Sequence, residues 1–361
     1  MRRPAPRFLS LQINKRCNLR CGHCEFWTKT DDDKTNYLNS QRLAEIIEEF
    51  AAINPKGSIV ICGGEPMLDI DRYFDMARLV RQSGLRSLSV VNGTRIRSMA
   101  MAERMIAEGP DEVSISLNSH QAALHDETRG VVGAFDKATT ALRLLLEARA
   151  KAGTTRPRIY VMGLVFNRNY RDLEAFHDFV LNELGVDKLK LNFIQPSFGQ
   201  EAADPFFARH AKLDADELAA VIRRCDARFK LGLNPIWLEQ VRMYFRSLQR
   251  FDDLELGWGS EARSQGHLCN TYDRNIMVDH YGMARLCFSS GFRGEQLQRY
   301  GDLRKFWEGS GDVREEMTGC NRLCGISHSV RRETSTTASR HATQTATTAM
   351  INQLAFAING V

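Results

Sequence analysis

Three cysteines, Cys17, Cys21 and Cys24, stand at C-x3-C-x2-C spacing directly after an apolar run, Phe8 to Ile13. Three thiolates can hold three irons of a [4Fe–4S] cube, where a ferredoxin-type cluster takes four cysteines. The next cysteine is Cys62, so the local set leaves one iron without a protein thiolate. An open metal position is a place for chemistry, whereas a closed one is structural or carries electrons. A zinc site is the competing reading. It needs a fourth ligand, and His23 lies too close in sequence to be a comfortable one. Downstream, Gly63-Gly64-Glu65-Pro66 offers a backbone that can approach a ligand closely. Without the cysteines, the same four residues read as an ordinary turn that ends a strand.

A second group follows near the C-terminus: Cys269, Cys287, Cys320 and Cys324. Gly282 falls between the first two, in a C-x12-G-x4-C pattern. Four cysteines can close a metal site completely. A zinc site with four cysteine ligands is one reading. Such knuckles pair two close C-x2-C units, and Cys269 and Cys287 are too far apart for that. The two remaining cysteines, Cys62 and Cys225, read as small buried core residues. An odd total of nine cysteines fits cluster ligation better than disulfide pairing.

These residues need a scaffold. Short β-branched runs predict strands at Leu9–Asn14, Ser58–Gly63, Ser87–Asn92, Glu112–Asn118, Arg158–Val165 and Lys188–Ile194. Helical patterns alternate with them at Ser40–Ala52, Asp71–Ser83, Arg97–Ala107, Phe135–Ala152 and Arg171–Leu184. In the first, Leu43, Ile46, Ile47 and Phe50 fall on one face, and Asn39 or Ser40 can cap it. Strands alternating with helices imply a parallel sheet with right-handed crossovers, either doubly wound or curved into a barrel. In both, ligands gather at the C-terminal ends of the strands. Cys17, Gly63, Asn92, Ser116–Asn118 and Gln195 all fall there. Asp214–Phe229 and Pro235–Gln249 read as helices of a bridge. Asn275–Asp279 and Met283–Phe288 read as a hairpin turning at His280-Tyr281-Gly282. Beyond Cys324 the chain becomes rich in Ser, Thr, Ala and Arg. A flexible tail is expected there, with Met350–Ile358 as a short docking helix.

Composition narrows the classes. The 361 residues are 43% hydrophobic and 26% charged, with a formal net charge of +5, which gives no nucleic-acid stripe and no polybasic anchor. No run reaches the roughly 20 apolar residues that span a bilayer, and the basic N-terminus lacks the apolar stretch of a signal peptide. A cytoplasmic protein is expected.

Taken together, the cysteine triplet and Gly63–Pro66 resemble the radical S-adenosylmethionine (SAM) superfamily. The resemblance implies a partial (β/α)6 TIM barrel. It implies a [4Fe–4S] cluster on Cys17, Cys21 and Cys24, with SAM on the open iron. The reduced cluster would cleave SAM to methionine and a 5′-deoxyadenosyl radical, which takes hydrogen from an unactivated carbon. Gly63, Gly64, Glu65 and Pro66 match the stretch that contacts the methionyl amino group of SAM. His23 matches a position that packs against adenine. Asn92 and Ser116 match polar strand ends that face SAM or substrate; each can equally be a local cap. Asn118 stands where many relatives carry Asp, so no substrate-contacting carboxylate carries over there. The C-terminal pattern resembles a twitch domain, the truncated form of a SPASM domain. That implies a hairpin plus helix holding one auxiliary [4Fe–4S] cluster on Cys269, Cys287, Cys320 and Cys324. The C-x3-C ending departs from the commoner C-x2-C.

The expected organisation is a barrel over 1–200, a helical bridge over 201–263, a twitch domain over 264–328 and a tail over 329–361. The layout is similar to the butirosin aminocyclitol dehydrogenase type. That resemblance implies oxidation of a small sugar-like or aminocyclitol metabolite, with the auxiliary cluster taking the last electron and a flavodoxin or ferredoxin supplying the first. Arg129, His125, His120, Arg168 and Tyr281 are candidate bases. Peptide maturation of the SPASM type is the alternative. It is weakened because only 16 residues precede Cys17, too few for a leader-binding domain. A non-catalytic iron–sulfur or zinc scaffold is the third reading. It leaves the open-site spacing unexplained.

Overall fold

The computed structural model describes residues 4–28, 34–197, 204–249, 267–269, 271–288, 291–318 and 329–331. Six strands form where expected: β1 (Phe8–Gln12), β2 (Ser58–Cys62), β3 (Arg86–Val91), β4 (Glu112–Ser116), β5 (Arg158–Val165) and β6 (Lys188–Phe193). They pair in sequence order, and every pair is parallel. Alternating residues split into two faces, as the strand period requires. Leu9, Leu11, Ile59, Ile61, Val113, Ile115, Ile159 and Val161 face the helices in the main core. Phe8, Val60, Cys62 and Leu88, of the opposite parity, form a separate inner cluster. A sheet with one face under helices and the other turned inward is the partial barrel that was expected.

The helices that cover it are α1 (Ser40–Ile53), α2 (Ile70–Gln82), α3 (Met99–Glu108), α4 (Ala122–Arg129), α5 (Ala134–Lys151) and α6 (Leu173–Asp178). Asn39 caps α1 by accepting from Arg42 N, as its residue type predicts. Two features depart from the sequence reading. The stretch Ala122–Arg129, where the sequence reading placed no helix, forms α4, closed by Gly130 in the left-handed region. The helix expected over Arg171–Leu184 is broken. A tight turn leads into α6, and a wider turn follows over Phe179–Glu183, where Leu184 N donates to Phe179 O. Phe179 stacks there on Phe135 of α5, with ring centroids 5.9 Å apart, so packing overrides the regular helical repeat.

Three further helices follow: α7 (Pro205–His210), α8 (Ala215–Phe229) and α9 (Pro235–Leu248). The sequence reading missed the first. None of the described helices is long and apolar enough to cross a membrane. A short strand, β7 (His267–Cys269), then precedes the expected hairpin, β8 (Asn275–Val278) and β9 (Met283–Arg285). Its turn closes at Gly282, at φ 94°. The hairpin does not stand apart from the barrel. Strand β8 pairs parallel with β1, Phe8 against Asn275 through Leu11 against Val278, so it extends the barrel sheet beyond β1. Two helices follow: Asp302–Gly309 packs against α1, where Leu303 N donates to Glu49 Oε2, and Gly311–Thr318 lies beside β7. Ser329–Arg331, at the start of the expected tail, pair antiparallel with β7. Cys320, Cys324, the 250–263 part of the bridge and the tail from Arg332 onward, Met350–Ile358 included, lie outside the described residues.

Candidate active site

The loop that carries Cys17, Cys21 and Cys24 leaves the C-terminal end of β1. Two backbones hold it. On one side is the end of β2. Gly64 N donates to Asn14 O at 3.2 Å, and Glu65 N donates to Arg16 O at 2.7 Å. A Cβ on Gly64 would stand 2.1 Å from Arg16 O, so only glycine permits this contact. The close approach serves the cysteine loop itself. On the other side is the end of α4. Arg20 N donates to Arg129 O at 3.0 Å, and Gly22 N donates to Thr128 O at 3.2 Å. Gly130, at φ 65°, lets the helix end sit against Arg20, whose carbonyl a Cβ would meet at 2.2 Å. The missed helix is therefore part of the site.

Side chains lock the same frame. Asn14 Nδ2 donates to Glu65 O at 2.9 Å. Glu65 is buried, and its carboxylate accepts from Asn92 N at 2.7 Å and from Met67 N at 3.1 Å. Burial raises its pKa to about 7, against the pull of those two donors. Asn92 uses its amide on neighbours. It donates to Asn18 Oδ1 at 2.9 Å and accepts from Thr94 N, also at 2.9 Å. Asn18 in turn donates to Thr94 Oγ1 at 2.8 Å. Asn92 is thus a strut between β3 and the cysteine loop. Ser116 ends β4 half-buried, on the inward parity it shares with Glu112 and Ser114.

Arg129 is the site residue whose role the sequence did not reveal. It is buried, donating from Nη1 to Cys21 Sγ at 3.7 Å and from Nη2 to Asn118 Oδ1 at 3.0 Å. That donation holds the guanidinium against the Cys21 sulfur. With both terminal nitrogens engaged in this way, Arg129 stands in the site as a donor and not as a candidate base. His125 accepts from Asn118 N at 3.0 Å through Nδ1, and burial, then Arg129, lowers its pKa to about 2. His125 is therefore a neutral anchor of the turn after β4. Arg168 pairs with Glu127. Tyr281 lies against His280, ring centroids 4.0 Å apart, in the hairpin turn. Arg129→Met is expected to cost about 1–3 kcal/mol of stability, since it strips donors from a buried network. Chemical denaturation checks this, with Arg129→Lys giving partial recovery. Wild-type stability in the Met variant would refute the role.

Cys21 is buried, and Cys17 and Cys24 are half-buried against Leu19, Val131 and Ala134. Burial pushes the thiols of Cys17 and Cys24 up to about 12. Without a cation such thiols stay protonated; a bound iron cluster would deprotonate them. Among the described residues no three His, Cys, Asp or Glu side chains are arranged to hold a single metal ion. In a cube each thiolate takes a different iron, so the donors need not converge on one point. Around them, Asn14 Oδ1, His23 Nδ1 and Arg129 Nε are buried polar atoms with no hydrogen-bond partner among the described residues. Buried atoms of this kind are normally satisfied. A bound group with charge and hydrogen-bonding capacity fits the place.

His23 is half-buried beside Phe206 of α7, ring centroids 5.7 Å apart. Burial, and then Arg129, lowers its pKa to about 3, so it presents a neutral ring. Phe166, Phe206 and His210 continue this aromatic wall, the last two 4.6 Å apart. Cys287 lies elsewhere. Strand β9 runs antiparallel to β8, away from the mouth. Cys287, two residues past its end, lies toward the N-terminal end of β1. Cys269 ends β7.

Residues 11–180 match the radical SAM superfamily. Two AdoMet-dependent heme synthases are similar in sequence. The one from Methanosarcina barkeri (strain Fusaro / DSM 804) is 31% identical over 144 residues, 40% of this chain and 40% of that protein. The one from Oleidesulfovibrio alaskensis is 34% identical over 146 residues, 40% of this chain and 36% of that protein. The chain thus spans less than half the length of these two relatives. In fold it resembles SuiB of Streptococcus suis bound to S-adenosylmethionine. The TM-score is 0.60 at 15% identity, covering 85% of this chain and 68% of SuiB.

Proposed function

We propose that this chain, which carries a radical SAM domain across residues 11–180, is an enzyme that cleaves SAM reductively and takes hydrogen from a small organic substrate inside the barrel. The observation that carries this reading is the loop of Cys17, Cys21 and Cys24, clamped between the end of β2 and the end of α4 at the mouth. These cysteines would hold three irons of a [4Fe–4S] cluster, leaving the fourth for SAM. When bound, cluster and SAM together supply one electron and a 5′-deoxyadenosyl radical.

The chain's own residues do the rest. Gly63 and Gly64 keep the β2 end flush with the cysteine loop, and Pro66 starts the short turn that Glu65 caps. Glu65, Asn92 and Asn18 fix that loop from below. Arg129 offers positive charge beside Cys21 for an anionic part of SAM. His23 and Phe206 offer a neutral aromatic face for adenine. Ser116 stands on the inward face, toward the substrate. Cys269, Cys287, Cys320 and Cys324 would hold the auxiliary cluster. Bound there, such a cluster would supply an acceptor for the electron that an oxidation leaves behind. The sugar or aminocyclitol expected from the layout finds no support in the relatives' names. The proposed substrate class is a small organic molecule.

Anaerobic reconstitution tests the reading. The expected result is about eight irons per chain, two cubes' worth, and 5′-deoxyadenosine formed on reduction with SAM. Iron without 5′-deoxyadenosine would sink it. Cys287→Ala is expected to drop the iron to about four, one cube, and to abolish formation of an oxidised product while SAM cleavage continues. Eight irons in that variant would remove Cys287 from the auxiliary site.

A further inference from the structure

The surface over the cysteine loop is built by segments that lock together. Asn18 Nδ2 donates to Thr94 Oγ1 at 2.8 Å, tying the loop to the segment after β3. That segment lies against α5, where a Cβ on Gly93 would meet Ala141 at 3.2 Å and Ala138 at 3.3 Å. On the remaining side, the turn of residues 130–133 between α4 and α5 meets the cysteine loop where Gly130 abuts Arg20. The loop has a solvent side. Arg16, Asn18, Arg20 and Gly22 are exposed, and they alternate with Cys17, Leu19, Cys21 and His23, which are buried or half-buried. The residues on the outside of the loop are thus the immediate chain neighbours of Cys17 and Cys21.

Val132 stands out on this surface. It is 91% exposed, more than any other large hydrophobic side chain among the described residues. A single exposed valine is ordinary in itself. This one is held outward. Gly130 and Gly133 both take left-handed φ, 65° and 78°. The Asp126 carboxylate accepts from Gly133 N at 2.6 Å and from Phe135 N at 2.7 Å, which pins the turn. Val131 packs on the small cluster of Leu19, Cys21 and Ala134, against which Cys17 and Cys24 also lie. The turn therefore sets one valine on the iron ligands and the next in solvent. Cations flank it. Arg20, Arg97 and Lys137 are exposed, and none of the three has an ion pair among the described residues. Of the carboxylates on α4 and the first turn of α5, Asp126 serves the turn, Glu127 pairs with Arg168, and Asp136 stands exposed beside Lys137. Solvated cations alone are plain surface. A rigid apolar knob ringed by them, directly over metal ligands, has the layout of an interface.

We propose that this face is the docking site of an acidic one-electron carrier protein, of the flavodoxin or ferredoxin class, with Val132 at its centre and Arg20, Arg97 and Lys137 at its rim. The inference rests on the function proposed above and names where the partner of that same site docks. Reductive cleavage takes one electron per SAM. That electron passes from the carrier, which is oxidised, to the cluster held by Cys17, Cys21 and Cys24, which is reduced; no proton or group moves with it. Encounters with electron carriers are small and weak. Exposed cations suit them by steering an acidic partner, and the apolar knob sets its orientation over the ligands.

Isothermal titration of the reconstituted full chain tests it, with an acidic flavodoxin and an acidic ferredoxin as probes. At least one is expected to bind at a single site per chain, and to bind less tightly as salt rises from about 50 mM to about 500 mM, because exposed charges are screened. Val132→Glu is expected to weaken that binding by about tenfold or more, and so is Arg97→Glu combined with Lys137→Glu. Both variants are expected to form 5′-deoxyadenosine more slowly than wild type when the carrier is the reductant, and at the wild-type rate when dithionite replaces it. Lys56→Glu, exposed before β2 at the opposite strand ends, is expected to change nothing. Iron content and thermal midpoint report folding of each variant. Absence of binding by both carriers, or wild-type binding by either variant, overturns the proposal. Dithionite separates the two ideas. If it yields 5′-deoxyadenosine while no carrier binds, the docking face is wrong and the radical chemistry stands. If it yields none, the radical reading fails, whatever the carriers do.

Discussion

Gly64→Ala is expected to cost the protein its first cluster while leaving every cysteine in place. The added Cβ would stand 2.1 Å from Arg16 O, 2.5 Å from Arg16 C and 2.7 Å from Lys15 O. All three are backbone atoms, so no side-chain rotation relieves the clash. The end of β2 must part from the cysteine loop. That breaks the bonds from Gly64 N to Asn14 O and from Glu65 N to Arg16 O. It also loosens the anchoring of Asn14 Nδ2 on Glu65 O. Overpacking plus two buried hydrogen bonds amounts to about 3 kcal/mol or more. The variant should take up about four irons, one cube, and melt several degrees lower. Full iron loading at the wild-type midpoint would show that the glycine is dispensable. Gly84→Ala is the control, because nothing lies within 4 Å of its Cβ position. Its positive φ makes a small cost of its own expected there.

Cys24→Ala is expected to abolish SAM cleavage, lowering 5′-deoxyadenosine formation by more than about 10³-fold, as for any member of a set that acts as a unit. The fold should survive. Cys24 is half-buried at the edge of a small cluster with Leu19, Cys21 and Ala134, so losing its sulfur costs about 1 kcal/mol. The pair of measurements separates a ligand from a core residue. Cys62, fully buried in the barrel with Phe8, Val60 and Leu88, is the comparison. Cys62→Ala should lower stability and leave cleavage running. Equal loss of cleavage in both variants would mean that the spacing of the triplet carries no information.

Much of the scaffold was legible in the chain. Strand periodicity and β-branched content located six strands to within two residues at either end. Those signals are local, so the sequence carries them openly. Less legible were features that depend on what an element meets. Thr128–Arg129–Gly130 end a helix because the helix docks its C-terminus on Arg20 and Gly22. Gly130 was the available signal, as a left-handed cap. Phe179 widens a turn because Phe135 is there to stack on. Nothing local announced that the hairpin after Thr271 would pair with β1 and become part of the barrel sheet.

The sequence by itself determined the donor set. Cysteine type and spacing state how many thiolates are offered, and Gly63–Pro66 states that backbone must come close to something. Both are properties of neighbours in the chain, and neighbours stay neighbours in any fold. The tertiary structure decided what those residues do to one another. It turned the paired glycines toward the Asn14–Arg16 backbone and made Asn92 a strut for the cysteine loop. It brought Arg129 to Cys21 across 108 residues of chain. It also set Arg86 and Lys190 on either side of Glu112. Each of these contacts joins residues far apart in sequence. Only the closure of the sheet, driven by burial of its outer face beneath the helices, brings them within reach.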